Sequence, residues 1–134
     1  MLLVSSDLER RRAHLLKQVG WHLTYIEEGH ASGKKQLTSV EVRALLFMWK
    51  MTAYSKILFI DVFSVVEHDP SILFEFPQLS ALPADGGRPE RFGVEVLVIE
   101  PDALTYRNLL SGALSMNYCD VQCVLNHFFC GSWF

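Results

Sequence analysis

Apolar residues recur with helical and strand periods along the chain, and the two patterns alternate. Leu8, Leu15, Val19, Leu23 and Ile26 follow one another at helical steps, which predicts an amphipathic first helix. Ser5 or Ser6 caps it, Asp7 and Glu9 sit in its first turn, and Gly29 ends it after about Glu28. A second helix opens on Thr38-Ser39-Val40-Glu41, a capping box in which hydroxyl and carboxylate each satisfy a free amide. Leu45, Leu46, Trp49 and Ala53 share its inner face.

Neither Gly nor Pro occurs between Thr38 and Asp69, so the end of this helix has no backbone signal. The β-branched and aromatic run Ile57 to Val66 predicts a buried strand near 57–66. The alternative is a mostly α chain with one long central helix over 39–67, which places Lys50, Asp61, Ser64 and His68 near one stripe. His68-Asp69-Pro70 then turns into a short helix, with Asp69 as cap and Pro70 in its first position, and Pro77 closes it. Pro83 to about Phe92 contains two glycines and two prolines and predicts an exposed loop. Gly93 to Glu100 alternates as a strand. Pro101 starts a last helix, with Glu100 and Asp102 at its positive end and Leu104, Leu110 and Leu114 on its buried face.

This order predicts an α+β fold. Two N-terminal helices precede a small sheet, with strands near 57–66 and 93–100, and a C-terminal helix follows. The 134 residues fit one globular domain over 1–134, with the tail 119–134 as an extension. Two strands make a poor sheet. A third is expected from Phe74-Phe76, from the C-terminal aromatics, or from a second copy in a homodimer.

Composition narrows the partners. Hydrophobic residues form 50% of the chain and charged residues 20%, which excludes a disordered chain. The net charge of -3 gives no support for binding nucleic acid directly, and Arg10-Arg11-Arg12 reads as a solvated helix face. The apolar run from Ala44 to Val66 reaches membrane-spanning length, but Lys50, Lys56 and Asp61 interrupt it, so no membrane partner is expected. Met1 to Val4 is too short for a signal-peptide core. The 3 cysteines, all within the last sixteen residues, suit a reducing, cytoplasmic setting.

Three constellations could carry chemistry. Cys119, Cys123, His127 and Cys130 have metal-binding side chains. On one straight helix, however, Cys119 and His127 lie roughly 12 Å apart, too far to share an ion, and ordinary packing is preferred. Glu27-x-x-His30, near His22 and Glu28, has the spacing of a carboxylate-bridged site but no second copy. Asp61 stands inside an apolar run. Phosphotransferases of one class place a second Asp two residues after such a nucleophile, and here that position is Phe63. Pairing with Lys50 or Lys56, or a solvated edge, is expected instead. No phosphate loop and no serine elbow occur.

No catalytic, cofactor or metal site is therefore expected. Small size, mild acidity and aromatic richness point to a non-enzymatic protein-binding module. It would occlude a partner protein's surface, as inhibitors, immunity proteins, counter-defence proteins and chaperones do. Arg88 and Arg91 in the loop, with Trp133 and Phe134 at the end of the chain, are its expected contact residues. The alternatives are a structural subunit of a larger assembly and a small metal-dependent enzyme.

Overall fold

The structure is a computed structural model that describes residues 1–5, 8–26, 40–84, 90–116 and 119–134. Strand β1 (Leu2–Ser5) leads into helix α1 (Arg10–Gln18) and strand β2 (Leu23–Ile26). β1 and β2 pair in parallel, with Leu2 opposite Leu23 and Val4 opposite Tyr25, and α1 forms the crossover that parallel strands require. The predicted first helix thus breaks into three elements. It breaks at Gly20, whose φ of 94° is a left-handed conformation available cheaply to glycine. The Gly20 N–H bonds back to the Lys17 carbonyl and closes the helix. Beyond it, Leu23-Thr24-Tyr25-Ile26 is strand-forming. The apolar stripe was not a core face: Leu15 and Val19 are exposed, and Ala13 is the buried residue of α1.

Helix α2 (Val40–Phe47) tightens into a 3-10 turn at Met48–Lys50. Thr38, the proposed cap, lies outside the described residues. Val42, Leu45, Leu46 and Trp49 follow helical spacing and are buried. The chain then enters strand β3 (Ile57–Ile60), so it runs helix then strand and the long helix over 39–67 does not form. β3 is shorter than the predicted strand. Asp61 ends it by accepting the Phe63 N–H on its own carboxylate at 2.8 Å, an Asx turn that reverses the backbone.

A 3-10 segment (Pro70–Glu75) follows, capped as predicted by Asp69, which accepts from the Ser71 N–H at 2.9 Å and the Ser71 hydroxyl at 2.6 Å. Strand β4 (Ser80–Pro83) and strand β5 (Phe92–Ile99) complete an antiparallel sheet of order β3-β5-β4. Phe59 faces Leu97 across one side of β5, and Ala81 faces the same Leu97 across the other. The third strand is therefore Ser80–Pro83, while Phe74 lies in the 3-10 segment. The C-terminal aromatics do join the sheet: Phe134 donates its N–H to the Leu79 carbonyl at 2.8 Å and accepts the Ala81 N–H at 3.0 Å. That covers the outer edge of β4.

Helices α3 (Ala103–Ser115) and α4 (Val121–Phe128) are capped by Asp102 and Asp120, whose carboxylates accept from the Thr105 and Cys123 N–H groups at 2.6 and 2.8 Å. Leu109 and Ala113 from α3, Val124 and Leu125 from α4, and the α2 residues pack against Phe92, Leu97 and Ile99 of β5. Trp49 lies fully buried at the centre. It stacks on Phe129 at 5.9 Å and donates its indole N–H to Gln78 Oε1 at 3.2 Å. Among the described residues no helix is long and apolar enough to cross a membrane.

At the start of β5 Phe92 lies opposite Pro83 of β4, and its own backbone groups are held by side chains of α4. Asn126 Oδ1 accepts the Phe92 N–H at 2.9 Å, while Asn126 Nδ2 and Gln122 Nε2 donate to the Phe92 carbonyl at 2.8 and 3.0 Å. Removing such partners leaves buried backbone groups unsatisfied. Asn126→Ala is expected to lower stability by about 2 kcal/mol in urea denaturation, within the usual range for such a loss. A change under ~0.5 kcal/mol would show that water replaces the amide.

The Thr105 N–H holds the Asp102 carboxyl below its ordinary value of 3.8. A carboxyl depressed on folding stabilises the fold above that ordinary value, and the contribution is lost as pH falls through the folded one. Asp102→Ala should therefore lower the thermal midpoint at neutral pH, and the gap to the wild type should close below about pH 3.8. A pH-independent gap in parallel melts would remove the cap's charge from the account.

Candidate functional site

Asp61 follows the last residue of β3, and its N–H donates to the Glu95 carbonyl at 2.8 Å. The β3–β5 register continues by one step, so Asp61 lies opposite Glu95. Residues opposite each other in a sheet project from the same face. Gly93, two residues before Glu95, also belongs to that face. A Cβ at Gly93 would strike the Glu95 carboxylate. The missing side chain leaves room for Glu95 to fold back along its strand.

Asp61 pairs with neither predicted lysine. Lys50 Nζ lies 5.6 Å from the centre of the Phe47 ring. Lys56 is drawn the other way, with Nζ 3.3 Å from Glu100 and donating to the Phe74 and Phe76 carbonyls at 3.1 and 2.8 Å. Asp61 is half-buried at the sheet end, and Val62 and Phe63 just after it are exposed.

A second polar feature arises on α2. Arg43 Nε and Nη2 are buried and, among the described residues, meet no hydrogen-bond partner. A guanidinium has five donors and no acceptor, and leaving it unpaired away from water is costly. An anionic group of bidentate shape is what such a fork fits. No motif in the sequence marks Arg43 or Gly93, and Glu95 lacks the following lysine that a carboxylate-type nuclease would need. The polar residue at position 43 within an apolar helix, between the buried Val42 and Leu45, was the available signal for the first.

The other predicted groups do not assemble. Cys119 and Cys123 form a disulfide, so the expectation of reduced thiols fails at that pair. The bridge joins residues 4 apart and fastens only the start of α4. Cys130 is free and exposed, and His127 is exposed on α4. Among the described residues no three His, Cys, Asp or Glu side chains could hold a metal ion together. His22 is exposed, whereas Glu27, Glu28 and His30 lie outside the described residues.

The expected contact residues separate as well. Arg88 lies outside the described residues, and Arg91 is exposed with its carbonyl accepting the Ala84 N–H at 3.0 Å. Trp133 packs on Phe92 at 5.4 Å and against the core. Phe134 leaves its ring exposed while its backbone joins the sheet.

Comparison with known proteins changes the functional picture. No family model matches the chain. It is 40% identical over 90 residues to glycogenin-1 of Oryctolagus cuniculus, which covers 66% of this chain and 26% of that protein. Glycogenin-1 of Homo sapiens is 39% identical over 90 residues, covering 66% of this chain and 25% of its own length. The putative UDP-glucuronate:xylan alpha-glucuronosyltransferase 5 of Arabidopsis thaliana is 31% identical over 96 residues, covering 71% of this chain and 16% of its own length. The chain thus spans about a quarter or less of the curated relatives it matches. These relatives are glycosyltransferases, which are enzymes. That overturns the expectation of a non-enzymatic inhibitor-like or chaperone-like binding module.

Proposed function

We propose that this chain takes part in glycosyl transfer from a nucleoside-diphosphate sugar. The observation that carries the reading is the identity of 31–40% over 90 to 96 residues shared with two differently named groups, the glycogenins and the xylan glucuronosyltransferases. In such a transfer an acceptor oxygen bonds to the anomeric carbon. The bond from that carbon to the phosphate oxygen breaks, and the diphosphate leaves with the electron pair. The acceptor proton passes to a base.

The chemistry needs a group for the diphosphate charge and acceptors for sugar hydroxyls. Arg43, whose Nε and Nη2 find no partner among the described residues, suits the first, because a guanidinium fork can meet two phosphate oxygens at once. The Asp61 and Glu95 carboxylates at the end of the sheet suit the second, since an ionised carboxylate only accepts hydrogen bonds.

Isothermal titration of the folded chain with UDP-glucose and UDP-glucuronate, with and without magnesium, tests the reading. The expected result is saturable binding tighter than about 1 mM, the weak end of the usual enzyme range. Arg43→Met should weaken it at least about tenfold, which is ~1.4 kcal/mol. The same substitution should raise the urea midpoint, because two buried donors without a partner among the described residues are replaced by apolar atoms. No binding of either sugar nucleotide by folded protein would overturn the proposal. Unchanged binding in the variant would remove Arg43 from it.

A further inference from the structure

Helix α4 is short for what it holds. It has 8 residues, fewer than the roughly 12–15 that an isolated helix needs to persist in water. Its first turn therefore depends on its surroundings, and three features hold that turn. The Asp120 carboxylate accepts the Cys123 N–H, and the Asp120 carbonyl accepts the Val124 N–H at 3.1 Å. Val124 and Leu125 are buried in the core. The third feature is the Cys119–Cys123 bridge, which ties the residue before the cap to the third residue of the helix.

Gln122 lies inside the ring that the bridge closes. Its Nε2 donates to the Phe92 carbonyl. Asn126, one turn further along the same face, donates to that carbonyl and accepts the Phe92 N–H. Asn126 Nδ2 also donates to the Gln122 carbonyl at 2.8 Å, which links the two amides to each other. The bridge contributes little to the fold as a whole. A cross-link restrains the unfolded chain less as its loop shortens, and this one joins residues 4 apart. Both cysteines are half-buried and Asp120 between them is exposed, so the turn is open to solvent. A bond that fixes one turn and contributes little elsewhere can open without loss of the fold.

We propose that the Cys119–Cys123 bridge is a redox latch. A dithiol reductant opens it, releases the first turn of α4 and with it the grip on Phe92, and leaves the domain folded. One thiolate of the dithiol attacks a bridge sulfur. The S–S bond breaks, a mixed disulfide forms, and the other cysteine sulfur leaves as a thiolate and takes up a proton. The second thiolate of the dithiol then attacks the dithiol's own sulfur in the mixed disulfide and expels the remaining cysteine, which is protonated in turn. Two electrons and two protons thus pass from the dithiol to the cysteine pair, and the dithiol becomes a disulfide. The local change reaches the sheet, because Phe92 leads β5 and the Glu95 carbonyl of that strand holds the Asp61 N–H.

The test is residue-resolved amide exchange of the full Cys130→Ser chain when oxidised, when reduced with dithiothreitol, and when reoxidised. Cys130 is free and exposed, and its replacement keeps it out of the thiol exchange. Reduction is expected to speed exchange at Cys123, Val124 and Phe92 at least about tenfold and to leave Leu109 of α3 within about twofold, as a local opening does. Reoxidation should restore the first rates. The Cys119→Ser, Cys123→Ser double variant should match the reduced chain and not respond to dithiothreitol. Unchanged exchange at the three amides overturns the proposal, and so does loosening at Cys123 and Val124 that stops short of Phe92. Equal acceleration at Leu109 overturns it as well, because the bridge would then support the whole fold. A bridge that dithiothreitol opens only in urea has the same consequence. Should the double variant not fold, the reduced chain that keeps Cys119 and Cys123 decides.

Discussion

The grip of α4 on Phe92 is the constraint from which the rest of the molecule follows. Among the described residues β5 is the only strand paired on both sides, and its residues supply the floor on which α2, α3 and α4 pack. Its first residue lies where the β4 register shifts between Ala81 and Pro83, so regular ladder bonds are interrupted there. The Asn126 amide offers the Phe92 backbone one acceptor and one donor, as a neighbouring strand would. With Phe92 held, Gly93 and Glu95 are placed, and through the Glu95 carbonyl so is Asp61. A single asparagine on a helix thereby governs the sheet end that bears the carboxylates.

Gln78 performs a related service at the opposite end of β5. Its Oε1 accepts both the Trp49 indole N–H at 3.2 Å and the Glu100 N–H at 3.0 Å. The buried indole therefore keeps its polar atom satisfied, and the turn between β5 and α3 is tied to the segment that follows α2. The two ends of the central strand are thus fastened by side-chain amides, and the aliphatic core fills the space between them.

The legible parts of the fold were those with a local physical signal. Alternation marked β5 to within a residue, and Asp69-Pro70 marked a cap; Asp102 was expected as a charge inside a helix begun by Pro101 and instead caps a helix that starts at Ala103. Gly20 was the overlooked signal. A helical stripe through Val19 and Leu23 outweighed it, although one residue in the left-handed conformation ends a helix however well the apolar positions repeat. β4 was invisible because Leu82 is exposed and Pro83 belongs to an edge strand, so neither alternation nor propensity marks it. Asp61 was expected to pair with Lys50 or Lys56 or to lie on a solvated edge. Its partner Glu95 sits on another strand and depends on a register that only the fold defines. The 40% identity to glycogenin-1 extends over 90 residues. A search for compact catalytic signatures therefore pointed to a binding module, and exposed aromatics strengthened that error.

Arg43 is a departure from stability alone. A chain selected only to fold would fill position 43 with an aliphatic residue, matching the buried Val42 and Leu45 beside it. Here Nε and Nη2 lie inside without a hydrogen-bond partner among the described residues, and unsatisfied buried donors cost stability. In the reading proposed above, a bidentate anion offsets that cost, because a guanidinium fork presents parallel donors to two oxygens at once.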